Sequence, residues 1–415
     1  MSLCSSVLRR RLSIWPAACA VLIAAAVAGC GSSSSSSASS SRSRARTAAT
    51  TQVPTSGWHS TMVSAPGSGE FDRVVCPTGG ACWAIANLDV SGNSSAQIFH
   101  LDGGQWSQAT TPSAAHLSGI ACPSATDCWA VGANVPSGSQ NAVTLIEHFD
   151  GQSWQAVPSP NAPNFPESRL TGVGCASPQS CWAVGEGQDP SQDPTAGQLL
   201  LQHYDGKSWS TASAPSQQHE QQSGNGAYLE CPSSQQCILL YNYGTSGGQS
   251  NAEDGAIYDG HTWQSLQVPD GILIQGASCP GVNDCYAIGG TSFNNPGTTE
   301  SLYHFDGSSW TPGPALPATS GVSWSALGCV SETSDCWAGG GGPVTDGGTT
   351  PVVLAHLVGG NWVDANPPQV VGELQDVFCT SASSCVAVGD AVSNTGSSTT
   401  SGSNNSAPLV LRLGS

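Results

Sequence analysis

Leu117-Ser118-Gly119-Ile120-Ala121-Cys122, five residues, Cys128-Trp129-Ala130-Val131-Gly132, a polar stretch, Leu145-Ile146-Glu147-His148-Phe149-Asp150-Gly151, two residues and Trp154: this run decides the fold, because the chain writes it seven times. The first cysteine of each copy falls at Cys76, Cys122, Cys175, Cys231, Cys279, Cys329 and Cys379, so one unit follows another every 46 to 56 residues. Its partner stands at Cys82, Cys128, Cys181, Cys237, Cys285, Cys336 and Cys385, after five residues in every copy but the sixth, which has six. A tryptophan ends six copies, at Trp106, Trp154, Trp209, Trp263, Trp310 and Trp362. Repeats of this length, built from short apolar runs between turn residues, are the signature of propeller blades.

Each unit predicts four short strands, named here A to D from the ring centre outwards. Strands A and B read as continuous apolar runs, as expected where neighbouring blades cover both faces of a sheet. Asp-Gly pairs beginning at Asp102, Asp150, Asp205, Asp259 and Asp306 mark tight C-to-D turns, since Gly accepts positive φ; the sixth copy has Val358-Gly359-Gly360 instead. The seventh copy stops at Leu409-Val410-Leu411-Arg412-Leu413 without a fourth strand, while Gly57-Trp58-His59-Ser60-Thr61-Met62-Val63, before the first copy, has the strand D pattern. The two ends are therefore expected to share one sheet. The fold class predicted is all-β, a seven-bladed β-propeller of four-stranded blades, closed by an N-terminal strand.

Residues that recur in every blade solve every blade's packing problem. Each Cys pair should bridge its own A-to-B hairpin, and a closed loop of seven residues removes about 2.4 kcal/mol of unfolded-state entropy. Zinc sites favour shorter spacings and two converging pairs, so no metal is expected. His100, His148, His203, His304 and His356 are dispersed around the ring and cannot meet in one catalytic centre; they read as packed or hydrogen-bonded outer-strand residues. The closing tryptophans, with Trp83, Trp129, Trp182 and Trp337, should fill the space between blades.

The chain's two ends differ in chemistry. Six of the ten basic residues lie in the first 50 positions, which contain no Asp or Glu; beyond them, four basic residues face 28 acidic ones. Such an acidic body cannot neutralise a row of phosphates, which argues against nucleic acid as a partner. Arg9 to Arg11 followed by the apolar Trp15 to Gly29 read as a signal peptide over residues 1–29, too short to span a bilayer. Val27-Ala28-Gly29-Cys30 resembles a lipobox, which would make Cys30 the lipidated N-terminus and the membrane a partner through that anchor; plain cleavage and secretion is the alternative. Residues 30–55, rich in Ser, read as a disordered tether, and 56–415 as the propeller. Fourteen paired thiols agree with an oxidising, extracytoplasmic compartment.

The strings Cys128-Trp129-Ala130-Val131-Gly132 and His148-Phe149-Asp150-Gly151-Gln152-Ser153-Trp154 resemble BNR or Asp-box propeller repeats, including the photosystem II assembly factor-like family. The pattern departs from Ser-x-Asp-x-Gly-x-Thr-Trp: His148 takes the Ser position and the interval to Trp154 is one residue shorter. The resemblance covers residues 56–415 as architecture. Propellers of this kind include sialidases, other glycan-active enzymes, assembly factors and adhesion modules, so it implies a fold and leaves the activity open.

Two places could carry function. The B-to-C and D-to-A connections share one face and are long and variable; there Glu186, Asp189, Tyr241, Tyr243, Asp254, Phe293, Asn295 and Trp324 pair aromatics with polar groups, as sugar- and protein-binding surfaces do. The second is the channel, where strand A is small at Gly119, Gly172, Gly174 and Gly276, with exceptions at Arg73, Tyr228, Glu230, Asp376 and Phe378. Arg73 and Asp376 hold equivalent places in blades one and seven, where an ion pair across the closure competes with a ligand site. No nucleophile motif, phosphate loop or converging arginines appears, so no catalytic residue and no cofactor is assigned. The expectation is a monomeric module binding a glycan, peptide or protein, with a glycan-active enzyme as the alternative.

Overall fold

The computed structural model describes residues 57–414 except 79, 91–92, 113–114, 190–196, 215–223, 245–250, 270–271, 291–299, 318–320, 331–332, 334, 344–348 and 393–405. Cys30, the segments 1–29 and 30–55, Phe293 and Asn295 lie outside the described residues. The rest form seven four-stranded antiparallel sheets, with no helix among the described residues. The A strands are Ser68–Thr78, His116–Ser124, Glu167–Ser177, Gly224–Ser233, Leu273–Gly281, Ser323–Cys329 and Gly372–Ser381. Each touches the next, and the last touches the first, so the ring is closed around a channel.

Closure follows the sequence pattern. Trp58–Met62 pairs with Ser406–Leu413 in the register Trp58 to Leu413 through Met62 to Leu409, supplying strand D of blade seven from the other end of the chain. Trp58 then does what a closing tryptophan does elsewhere: its ring meets Trp337 of blade six edge-on, with centroids 5.2 Å apart.

The tryptophan pattern is a zipper between blades. Trp129 of strand B stacks on its own blade's His148 at 4.0 Å, while its edge meets Trp209 of blade three at 5.3 Å. Trp83 repeats this with His100 and Trp154, and Trp182 with His203 and Trp263. The recurrent histidine is thus a flat partner for an indole, or for the Tyr286 ring in blade five, and in blades two, five and six its Nε2 also meets Asp127, Asp284 or Asp335 at 3.0, 2.8 and 2.6 Å. Offset and edge-on aromatic contacts each add about 0.5–1.5 kcal/mol beyond burial.

All seven disulfides are local, Cys76–Cys82 through Cys379–Cys385, with Cα atoms 4.0–4.1 Å apart. They staple the A-to-B turns at one end of the channel. The C-to-D turns share that face, where Gly151, Gly206, Gly260 and Gly307 have φ near +90°. The Asp beginning each of these four turns accepts backbone N–H bonds from the residues two and three further on.

Candidate binding cavity in the central channel

Every A strand carries a register shift a few residues before its first cysteine. In six blades the skipped residue is Asp72, Ser118, Thr171, Gln275, Ser325 or Gln375, polar in each case. A bulge inserts one residue, bends the strand and re-aims the side chains around it. On its outer side the chain buries Phe71, Leu117, Leu170, Ile274, Trp324 and Leu374 between blades. On its inner side Arg73, Gly119, Gly172, Tyr228, Gly276 and Asp376 line the channel. Backbones of neighbouring blades crowd here: a Cβ on Gly119 would stand 3.0 Å from Gly172 Cα, and one on Gly328 2.4 Å from the Val377 oxygen. The small residues permit that approach, and the void they surround is a cavity of about 330 Å³.

Large polar side chains enter this cavity from opposite sides of the ring. Arg73 comes from blade one, Asp376 from blade seven, and Tyr228 and Glu230 from blade four. The Arg73 guanidinium carbon lies 5.9 Å from the Tyr228 ring centre, within cation–π range. Tyr228 donates its hydroxyl proton to the Gln275 carbonyl at 2.5 Å. Asp376 spans the closure, with Oδ2 accepting from Val74 N–H and Oδ1 from Val377 N–H, both at 2.9 Å. The expected contact across the closure is therefore built from carboxylate to backbone, with the Arg73 charge beside it. Glu230 receives no hydrogen bond from the protein among the described residues.

The electrostatics follow from this geometry. Burial opposes the Arg73 cation, but Asp376, Tyr228, Asp72 and Glu230 outweigh it and hold the guanidinium firmly protonated. Burial raises Asp376, against the pull of Arg73 and its two N–H donors. Burial, and then Asp376, push Glu230 up to about 8 despite Arg73. Asp72 rises to about 7 through burial and then Glu70, against Arg73 and a hydrogen bond from Asn87. Towards the variable face, Glu70, Glu373 and Asp390 are all raised, by burial first; Asp390 acts on the other two, and Glu70 also on Glu373.

Of the eight residues expected on the variable face, Trp324, Tyr241 and Glu186 are buried. Trp324 is buried at 5% exposure in the core between blades five and six, because it stands five residues before its cysteine, where Phe71, Leu117 and Leu374 also pack. Tyr241 is buried at 7% among Trp182, Leu239 and Trp263. Both readings as exposed anchors are thereby corrected. Glu186 is buried too, opposite Arg169 in register and 3.4 Å from its Nε. Asp189 is half-buried just beyond its strand. Tyr243 and Asp254 lie on strands B and C of blade four.

Alignment on the first cysteine would have found the rest of the site. Glu70 and Glu373 occupy one level, six residues before it, where Arg169 stands in blade three; Asp390 and Glu186 lie opposite that level on strand B. Among the described residues no group of three or more His, Cys, Asp or Glu is arranged to hold a metal ion.

The class of protein defined here is a seven-bladed β-propeller with a polar, charged channel cavity. No protein-family profile and no curated protein matches the chain. Among solved structures it is similar to YCF48 bound to D1 peptide, at 14% identity over 87% of this chain and 96% of that one, with a TM-score of 0.53. A PL25 ulvan lyase matches at 9% identity, 84% and 95% coverage and a TM-score of 0.52. A Niastella koreensis GH74 enzyme matches at 12% identity over 79% of this chain and 52% of that one, also at 0.52. At these identities the likeness is one of fold, shared by a peptide-binding protein and by glycan-active enzymes.

Proposed function

We propose that the protein is an extracytoplasmic binding module, anchored to the bacterial membrane through Cys30 and a tether over residues 30–55, that takes part of a glycan, peptide or protein ligand into the channel cavity. The observation that carries this reading is the convergence of non-repeated polar side chains, Arg73, Tyr228, Glu230 and Asp376, on a void of about 330 Å³. That volume falls within the range of about 300 to 1,000 Å³ common for ligand pockets. Seven disulfides support the oxidising compartment. The Asp-capped C-to-D turns support kinship with Asp-box propellers.

A glycan-active enzyme is the second reading, favoured by Glu230, a carboxyl held protonated in a cavity that it shares with Asp376. Two-carboxylate hydrolysis needs one acid and one available base or nucleophile. Asp376 has both oxygens engaged by backbone N–H groups, so the second role is unfilled and binding is preferred.

The test is retention of the purified protein on immobilised cell-surface polysaccharide and peptide fractions, compared with Ala121→Phe. Phe378 occupies the equivalent position in blade seven, so the level accepts a ring, and this one would fill the cavity. Retention by the parent and its loss in the variant at equal melting temperature is the expected result. Cleavage of a glycan panel that Glu230→Gln abolishes would replace binding with catalysis. Retention unaffected by Ala121→Phe would move the site out of the channel.

A further inference from the structure

The charge balance of the channel identifies the kind of group it takes. The inner strands carry two groups of carboxylates: Glu373 and Asp390, paired in register, with Glu70 and Asp72 acting on one another nearer the variable face, and Asp376 and Glu230 in the cavity wall. In the cavity itself one cation, Arg73, faces them. The Arg73 charge and two N–H donors satisfy Asp376, and Asn87 and the Arg73 charge serve Asp72. Glu230 is left in the cavity wall with no hydrogen-bond donor among the described residues, with Asp376 and Arg73 as the charged groups acting on it and Tyr228 on its own strand. The inner strands packed on either side of it present Thr171, Gly172 and Gly174, and Gly276 and Ser278, none of them charged. A half-buried carboxyl in a cavity wall without a protein donor either keeps a proton or pairs with an incoming cation.

Resting on the channel as the binding site, we infer that the cavity recognises a protonated amine, which pairs with the Glu230 carboxylate. Ser278 and Thr171 line the same cavity and offer oxygens to the ammonium's remaining protons; the Thr171 hydroxyl spends its own proton on the Val184 carbonyl at 3.4 Å. Ser278 already accepts from Cys329 N–H at 3.0 Å, and its oxygen keeps a second lone pair. An acidic body also draws cations towards such a cavity and repels anions. Two sources present the same chemistry, a lysine side chain of a peptide and an amino sugar. Pairing requires Glu230 to give up its proton, so binding of the amine should release a proton and strengthen as pH rises towards about 8.

The experiment is calorimetric titration of the full mature protein with four probes: a terminally blocked Gly-Lys-Gly peptide, its Nε-acetyl form, glucosamine and N-acetylglucosamine. At least one free amine should bind about ten-fold more tightly than its acetylated twin, and which pair responds names the source. Glu230→Gln, isosteric and uncharged, should remove that difference while melting temperature holds or rises. Buffer-dependent heats should report proton release for the parent alone. Equal affinity of free and acetylated forms, an unchanged preference in Glu230→Gln, or no saturable binding of either amine overturns the inference. Where the amines fail but Ala121→Phe still abolishes retention on cell-surface material, the channel stands as the site and only the ligand class falls.

Discussion

Glu230, half-buried in the cavity wall, and Trp129, packed in the core, show what partial and full burial do. Glu230 is a carboxyl whose folded-state pKa is raised from 4.5 to about 8, so the folded protein holds a proton that the unfolded chain has released over that window. The sign follows: Glu230 costs nothing below pH 4.5, destabilises increasingly as pH climbs, and levels off above about 8. Glu230→Gln should therefore melt with the parent at pH 4 and above it at pH 8, which thermal unfolding across pH can read. Asp306 is the opposite case. The Ser308 hydroxyl and then the Ser308 and Ser309 N–H groups hold it down to about 2, so its contribution is complete above 3.8 and disappears as pH falls through about 2. Asp306→Asn should lower the melting temperature at neutral pH and leave it unchanged near pH 2. Trp129, 2% exposed, carries packing alone. Trp129→Ala should cost about 3–5 kcal/mol by denaturant titration, while losing no more than its own blade interface.

At the scale of the strand, the sequence was most legible where a residue type recurs and least where one blade departs from its siblings. Cysteines, turn glycines and tryptophans named every hairpin, because seven copies solve the same steric problem. The bulge in strand A left no such mark: its residue is Asp72, Ser118, Thr171, Gln275, Ser325 or Gln375, united by polarity and by position alone. Trp324 looked like a loop aromatic because large side chains at variable ends suggest recognition. One level of burial beyond the bulge places it in the core. Tyr241 misleads for a related reason, since it stands four residues after its second cysteine, where other blades keep Gly132, Gly185 or Gly389 against a neighbouring backbone. The channel exceptions Arg73, Tyr228, Glu230 and Asp376 were visible as departures from small residues, but their convergence required the ring. At this scale the hairpin staple is also testable. Cys122→Ala with Cys128→Ala should lower stability by about 2 kcal/mol through the loop term, with native blade order retained. A far larger loss would mean that the disulfide holds more than its own hairpin.

The whole molecule depends on a short strand borrowed from the other end of the chain. Without Trp58–Met62, the strand Ser406–Leu413 becomes an open edge and Trp337 loses its edge-on partner. Deleting those five residues should promote aggregation and depress thermal stability, as unpaired edges do. A deletion variant with the parent's melting temperature would contradict the closed ring. Closure also sets Asp376 beside Arg73 and so completes the cavity, which ties fold to proposed function. That link is tested most directly by photo-crosslinking, with a benzoylphenylalanine placed either at Ser278 in the cavity wall or at the exposed Gln155 on an outer strand. With cell-surface material present, crosslinks should form from Ser278 and not from Gln155; capture from Gln155 alone would contradict a channel that binds.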